Sequence, residues 1–215
     1  LALARLFAQR QMIADAAATY EAFLTDYPAN ADRHKALYQA AWLAKDSSQD
    51  GKALNYFQEL FATCPASPYW PDAAYRVADA QFAANNLAQA AETLAELLQH
   101  DDQRMRPYAL FLQGKIAWNQ QRLGEVVQAM DQLRDAFPGH ELALAAGYFA
   151  ADALTEQNQY NAATQRWEQL SAEAQNNAVH SEDNWPAKIT LRHVQSLAAS
   201  RRWEKASAVA SEALT

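Results

Sequence analysis

Apolar residues recur along the chain at the spacing of one helical face. A small residue is followed four and seven positions later by large apolar residues, as in Ala16, Tyr20 and Phe23. Positions i, i+4 and i+7 share one face of an α-helix. The first member of this triplet returns at intervals of 37, 37, 36, 37 and 43 residues, as Ala16, Ala53, Ala90, Val126, Ala163 and Ala206. Such regular recurrence predicts a repeat architecture.

A second column of small or modest residues stands twelve positions before the first. Its members, called first-helix anchors below, are Ala4, Ala41, Ala78, Gly114, Ala151 and Val194. Short polar turns separate the two columns, so each unit is predicted to be a pair of antiparallel helices whose small residues allow close approach. One pair cannot bury its apolar face alone, so successive pairs must stack. The sequence therefore predicts an all-α solenoid.

Proline-rich junctions separate the predicted units. Cys64–Tyr75 and Phe137–His140 show the pattern, because proline removes a backbone donor and disfavours helix in the preceding residue. Helix pairs are predicted to begin near residues 33, 71, 106, 140 and 187, with turns near 47–51, 84–87, 119–123, 157–160 and 200–203. The long interval predicts an extended helix or exposed loop over 171–187, with Trp185 packed against the last pair.

These columns and prolines resemble the tetratricopeptide repeat family, whose unit has 34 residues. The units here have 36 or 37 residues, and the extra residues lie in the junctions. The resemblance implies a right-handed superhelix whose first helices line a concave face. It implies one domain of about five and a half repeats, over 1–30, 33–66, 71–102, 106–138, 140–175 and 187–215.

The junction Pro65–Asp72 is similar to junctions of bacterial envelope repeat proteins of this family. Examples are the Tol–Pal-associated coordinator and the outer-membrane assembly lipoprotein. This similarity favours a periplasmic or envelope location over a cytoplasmic one. Because the chain begins at Leu1 within a helical pattern, we expect it to be an excerpt of a longer protein.

A row of aromatic and charged residues follows from the family's concave face. The resemblance implies a partner-binding surface formed by Tyr38, Trp42, Lys45, Tyr75, Asp79, Phe82, Phe111, Lys115, Trp118, Tyr148 and Asp152. An aromatic row at helical spacing is usually core, so Tyr38, Tyr75, Phe111 and Tyr148 are expected to pack between helix pairs. Trp42, Phe82 and Trp118 occupy rows that are polar in other units, which favours a binding role for these rings.

Charge and composition limit the classes of partner that the protein could bind. The net charge of −7 and the lack of a basic cluster argue against nucleic acid. No apolar run reaches the length of a membrane span, and a single cysteine excludes an intrachain disulfide. We therefore expect a protein or peptide partner, no direct membrane insertion and no cofactor. The oligomeric state stays open.

Catalytic and metal-binding patterns are weak, so we expect no enzyme, no catalytic residues and no metal. His100–Asp102 and the segment 180–183 could hold a cation, but they lack a fixed ligand spacing. The predicted function is a scaffold that binds a partner in a bacterial envelope assembly or export complex. Two alternatives stay open: a spacer or oligomerisation arm, and a toroid-type glycosidase using carboxylates such as Asp72, Asp79 and Asp152.

Overall fold

The protein is described by a computed structural model, which defines residues 1–177 and 184–212. Over these residues all regular structure is helical and no strand occurs, which confirms the all-α prediction. The helices are α1 Ala2–Gln9, α2 Ile13–Asp26, α3 Arg33–Asp46, α4 Asp50–Thr63, α5 Trp70–Ala83, α6 Leu87–Gln99, α7 Arg106–Asn119, α8 Leu123–Ala136, α9 Ala143–Glu156, α10 Tyr160–Asn177, α11 Trp185–Ala199 and α12 Trp203–Glu212.

Contacts divide the chain into two compact units. Unit 1 spans 1–106 and contains α1–α6, and unit 2 spans 107–215 and contains α7–α12. Each holds three successive helix pairs. The predicted pair starts at 33, 71, 106, 140 and 187 fall within three residues of the observed first residues of α3, α5, α7, α9 and α11. The division into one domain with the repeat limits given above stays a prediction.

The two columns of small residues form the crossing points of the helix pairs. Ala41 on α3 and Ala53 on α4 are almost fully buried, as are their counterparts Ala78 and Ala90 on α5 and α6. The large residues that follow the second column fill the adjoining core, and the largest fully buried one is Trp167. Gly114 on α7 leaves room for the Met130 side chain of α8, which a Cβ at this position would overlap.

Every turn within a pair carries one residue in the left-handed backbone region. These residues have φ between 57° and 60° and none is glycine; they are Gln11, Ser48, Asn85, Gln121, Asn158 and Arg201. Their spacing repeats the intervals of the sequence columns. A left-handed residue closes a helix C-terminus by redirecting the chain. The backbone therefore repeats as regularly as the sequence.

A side-chain N–H closes each of three junctions between pairs. The Arg33 guanidinium donates to the Leu24 carbonyl, and Arg106 donates to the Leu98 carbonyl at 3.0 Å. Trp70 uses its indole Nε1–H in the same position, donating to the Phe61 carbonyl at 2.9 Å. The last carbonyls of a helix lack intrahelical partners, so these donors satisfy groups that would otherwise need water. The junction 64–69 thus ends α4 and places Trp70 to cap it.

The long interval is partly helix. α10 runs for 18 residues to Asn177, which is longer than any other second helix among the described residues. Residues 178–183 lie outside the described part, so their predicted form stays a prediction. Trp185 opens α11 and packs against the core of Trp167 and Leu170, with its ring 5.6 Å from Tyr148.

Candidate functional site

One contact recurs between neighbouring first helices. It joins the residue that follows the anchor of one first helix to the residue two positions before the anchor of the next first helix. In unit 1 the Arg5 Nε–H donates to Gln39 Oε1 at 3.0 Å, and the Arg76 guanidinium lies 4.8 Å from the centre of the Trp42 ring. In unit 2 the same two positions hold Asp152 and Arg192, which form an ion pair. We call this contact the first-helix ladder.

A groove of about 410 Å³ opens beside this ladder in unit 1. We call it the α1–α3 groove. α1, α2, α3 and the junction before α5 line it with Arg5, Ala8, Gln9, Tyr20, Tyr38, Gln39, Trp42, Leu43, Asp46 and Tyr69. Its surface therefore combines aromatic rings with amides, one cation and one carboxylate. Pockets of this composition suit a ligand that has both apolar and polar groups.

Gln39 fixes the polar wall of the groove. Its Oε1 accepts hydrogen bonds from the Arg5 Nε–H at 3.0 Å and from the Tyr20 hydroxyl at 2.7 Å. Burial raises the pKa of the Tyr20 hydroxyl, and the nearby Arg5 guanidinium opposes that shift. Tyr20 therefore stays a neutral donor at physiological pH. Arg5 is exposed and forms no ion pair among the described residues, but its charge, after that of Lys35, is among those that lower the pKa of the Asp32 carboxyl.

Tyr38 forms the aromatic floor of the groove. Its ring stacks on Tyr69, with centroids 4.3 Å apart and planes 14° apart, and its hydroxyl donates to the buried Asp72 carboxylate at 2.7 Å. Burial raises the pKa of Tyr38, and the Asp72 carboxylate adds to this effect. The hydrogen bond joins α3 to α5. Tyr38 thus packs between pairs, as expected of its row, and also faces the groove.

Trp42 is held from two sides. The Arg76 guanidinium lies over its ring, and Phe57 meets it edge-on with centroids 5.8 Å apart. Arg76 also lies 3.4 Å from Asp72, so a cation–π contact and an ion pair fix the same guanidinium. Trp42 therefore lines the groove as a half-buried, rigid ring.

The remaining predicted residues of unit 1 lie outside the lining of this groove. Lys45 is exposed and pairs with Asp50 at 2.7 Å. Tyr75 is half-buried with the Arg76 guanidinium 5.6 Å from its ring centre. Asp79 and Phe82 are half-buried on α5. Sequence reasoning therefore located two groove residues, Tyr38 and Trp42, among the six that it named here.

Phe149 gathers the aromatic residues predicted in unit 2. Its ring meets Phe111, Trp118 and Tyr148 edge-on, with centroids 5.6, 5.9 and 6.0 Å away. Phe149 stands two before an anchor, on the position that Arg76 occupies in unit 1. Trp118 therefore packs against the next first helix. Lys115 is half-buried on α7, the helix that also carries Trp118.

Asp152 is buried and lies in the ladder. Its carboxylate accepts from Arg192 on α11, which also lies 3.4 Å from Glu156. Burial raises the pKa of the Asp152 carboxyl, and the Arg192 guanidinium opposes this shift. Through its Oδ1, which accepts from Arg192, Asp152 links two helix pairs.

A second cavity, of about 520 Å³, lies in unit 2 between α8, α9 and α10. Its lining is highly charged, but its arginines already have acidic partners. Arg166 pairs with Asp131, and Arg134 pairs with Glu173 at 2.7 Å. This cavity is therefore a less suitable place for a charged ligand than the α1–α3 groove, where Arg5 forms no ion pair with any described residue.

Sequence reasoning missed Arg5, Gln39 and Tyr69. Arg5 and Gln39 occupy the two ladder positions, so a comparison of positions one after and two before each anchor would have paired them. Tyr69 stands nine residues before its anchor, and Trp185 stands equally far before Val194. Both rings pack on the tyrosine of the preceding row, Tyr38 and Tyr148 respectively. The sequence does repeat these contacts, but at positions outside the two columns of small residues.

Metal-ligand clusters and membrane-spanning segments can be sought in the described part of the chain. There, no group of three metal-ligating side chains comes together and no helix is long and apolar enough to cross a bilayer. In the candidate at His100–Asp102, His100 stacks on Trp70 with centroids 4.3 Å apart, and Asp102 accepts from the Met105 amide at 2.7 Å. The other candidate, at 180–183, lies outside the described residues.

Comparison with known proteins identifies the fold. A family model described as tetratricopeptide repeat matches residues 1–30 and 72–103. No curated protein matches the chain. Among solved structures, MamA from Desulfovibrio magneticus RS-1 is 13% identical with a TM-score of 0.62, and covers 83% of this chain and 94% of its own.

Two further structures give the same result. PilF of Pseudomonas aeruginosa is 15% identical with a TM-score of 0.64, covering 96% of this chain and 85% of its own. YrrB, titled a TPR protein with an unusual peptide-binding site, is 12% identical with a TM-score of 0.65, covering 88% of this chain and 89% of its own. The described helices therefore have the fold of tetratricopeptide repeat proteins.

Proposed function

We propose that the protein is a scaffold that binds a peptide or a segment of a partner protein in the α1–α3 groove. The observation that carries the proposal is the groove itself, whose aromatic floor and polar wall are held in place before any ligand arrives. Tyr69 and Asp72 hold Tyr38, and Arg76 and Phe57 hold Trp42. A preformed site loses little conformational entropy on binding, which supports recognition at this place.

The comparisons support the class of this function. Helical repeats of this kind present extended binding surfaces, and YrrB, which has the same fold, is described as having an unusual peptide-binding site. The proposed setting is a bacterial envelope assembly or export complex, supported by the style of the junction 65–72. Localisation of a tagged full-length protein by cell fractionation would test that setting.

Panning of a display library of random peptides against the 215-residue chain tests the groove. Ala8 lines the groove and is half-buried, so Ala8→Phe fills it. Ala18 is exposed on α2 and takes no part in the lining, so Ala18→Phe adds the same volume elsewhere. Enriched peptides should bind the wild type and Ala18→Phe and lose binding to Ala8→Phe, while all three proteins melt alike. If no enriched peptide distinguishes the two variants, the groove is not the binding site and the spacer alternative gains support.

A further inference from the structure

A cavity of about 400 Å³ lies in unit 2 where two successive turns meet, the turn between α9 and α10 and the turn between α11 and α12. We call it the turn cavity. Among the described residues its lining holds two guanidinium groups and no carboxylate; it consists of one alanine together with Asn158, Tyr160, Asn161, Ser200, Arg201 and Arg202. It shares no residue with the α1–α3 groove, so the function proposed above makes no use of it.

The two guanidinium charges of the turn cavity are unpaired. Neither Arg201 nor Arg202 forms an ion pair among the described residues, whereas both arginines of the 520 Å³ cavity in unit 2 do. Glu204 is the acidic residue nearest to them along the chain, and it lies outside the lining. The turn cavity is therefore locally positive in a protein whose net charge is −7.

The side chains around the two arginines present hydrogen-bond donors. The Arg202 guanidinium donates to Asn161 Oδ1, and the Tyr160 hydroxyl donates to Asn158 Oδ1 at 2.6 Å. Because both amide oxygens accept these bonds, the Nδ2–H groups of the two asparagines are directed elsewhere and can donate to a ligand. The Ser200 hydroxyl already donates to a backbone carbonyl of α11. The cavity therefore suits a ligand that is rich in acceptor oxygens.

The backbone adds to this positive character without explaining it. Asn161 is the second residue of α10, whose first turn contains no acidic side chain to offset the helix dipole. Arg201 has a φ of 60°, and the corresponding turns of the other pairs hold glutamine, serine or asparagine at this position. Asparagine tolerates this backbone conformation better than arginine does. The turn itself therefore does not require a cation.

We propose that the turn cavity binds a phosphomonoester group. Such a group carries a charge of about −1.5 to −2 near neutral pH, which matches two guanidiniums, whereas a carboxylate supplies a single negative charge. Its terminal oxygens accept hydrogen bonds from Arg201, Arg202 and the asparagine amides together. Because Asn161 already holds the Arg202 guanidinium, that side chain loses little conformational entropy on binding.

Binding of short peptides to the 215-residue chain tests this proposal. The probes are fluorescein-labelled, amide-capped peptides of sequence Ala-Gly-Ser-Gly-Ala with a phosphorylated serine, with plain serine and with glutamate in its place, followed by anisotropy. The phosphorylated peptide should bind at least about fivefold more tightly than the other two at low salt, and the preference should shrink as salt screens the charges. Equal binding of the phosphorylated and serine peptides, or of the phosphorylated and glutamate peptides, would overturn the proposal.

Competition by inorganic phosphate distinguishes two sources of the same group. Displacement of the phosphorylated peptide at a similar concentration would show that the site recognises the free ion. Displacement only at a concentration about tenfold higher or more would show that the group is recognised as part of a larger molecule. Phosphate that does not displace the peptide at all would show that the peptide binds elsewhere, and would contradict the proposal.

Matched variants assign the site. Arg201→Gln and Arg202→Gln together should abolish the preference for the phosphorylated peptide. Arg10→Gln removes an exposed charge at the end of α1, outside the lining, and should keep it. Arg201 is exposed and Arg202 half-buried, so the double variant should fold, which thermal melting checks. A preference that survives the double variant would place the phosphate site elsewhere.

This result can be separated from the proposed function. Ala8→Phe fills the α1–α3 groove and leaves the turn cavity unchanged, so the preference for the phosphorylated peptide should survive it. Loss of that preference in Ala8→Phe would contradict the turn cavity as its site.

Discussion

Arg192 on α11 pairs with the buried Asp152 carboxylate on α9. Removing one partner of such a pair leaves an uncompensated charge in a poorly hydrated place. Arg192→Gln should therefore lower the free energy of unfolding by roughly 2–4 kcal/mol.

Adding Asp152→Asn should restore much of that loss, because no buried charge then remains. Urea titrations of the wild type, both single variants and the double variant measure the coupling. Additive effects would show that the pair contributes nothing beyond its separate side chains.

Gly147 should not tolerate a side chain, although glycine usually weakens a helix. A Cβ at this position on α9 would overlap the Arg134 guanidinium and the Leu170 side chain. Gly147→Ala should cost about 1–3 kcal/mol through overpacking. Gly124 on α8 has no atom within 4 Å of such a Cβ, so Gly124→Ala should leave the melting temperature unchanged or raise it. Equal melting of the two variants would contradict the packing described around Gly147.

The indole N–H of Trp70 should add to the folding stability that its buried aromatic ring provides. Trp70→Phe keeps an aromatic ring but removes the donor to the Phe61 carbonyl, and should cost about 1–2 kcal/mol. Trp203 is 64% exposed, so Trp203→Phe is a suitable control with little expected effect. Thermal melting compares the two; a shift of about 2–4 °C per kcal/mol is usual for a chain of this size. A control variant that melts as early as Trp70→Phe would argue against a special role for this bond.

Acid should weaken unit 2 through His193. Burial lowers the pKa of this imidazole, although Glu168 opposes the shift, and no described residue forms a hydrogen bond with its Nε2. Because the unfolded chain then binds a proton at higher pH than the folded chain, stability is present above the ordinary histidine pKa of about 6.5 and falls as pH drops below it. The difference in melting temperature between pH 7.5 and 5.5 should be smaller in His193→Gln than in the wild type. An unchanged difference would show that other groups set the acid sensitivity.

Trp42→Ala and Trp118→Ala should destabilise the fold as well as affect binding. Both rings pack against the next first helix, through Arg76 and Phe149 respectively. Since both side chains are half-buried, each truncation should cost about 1–3 kcal/mol. Chemical denaturation measures the loss. Wild-type stability in both variants would contradict the packing described for these rings and leave only the binding role that the sequence favours.

The sequence predicted the helix pairs because spacing alone determines them. Small residues at Ala41 and Ala53 can only be explained by close helix approach, and the turn residues between them fix where the chain reverses. Pair starts therefore agreed with the structure within three residues. The same spacing does not reveal what a half-buried ring touches, and so it could not show that Trp42 is held by Arg76.

The groove was harder to predict for a physical reason. It is lined by residues of α1, α2, α3 and the junction before α5, which lie in three successive repeat units. Within a single unit, Arg5, Gln39 and Tyr69 look like ordinary surface residues. Only their partners across units, Gln39 for Arg5 and Tyr38 for Tyr69, give them a role.

The two positions of the first-helix ladder accept different kinds of contact in different repeats. An amide hydrogen bond, a cation–π contact and an ion pair occupy the same two positions in different repeats. The helical backbone at these two positions is the same in each repeat. A different pair of residues can therefore replace the existing pair without changing the direction of a helix. A protein engineer, or natural selection, could therefore change the salt and acidity at which one repeat interface loosens while leaving the other interfaces untouched.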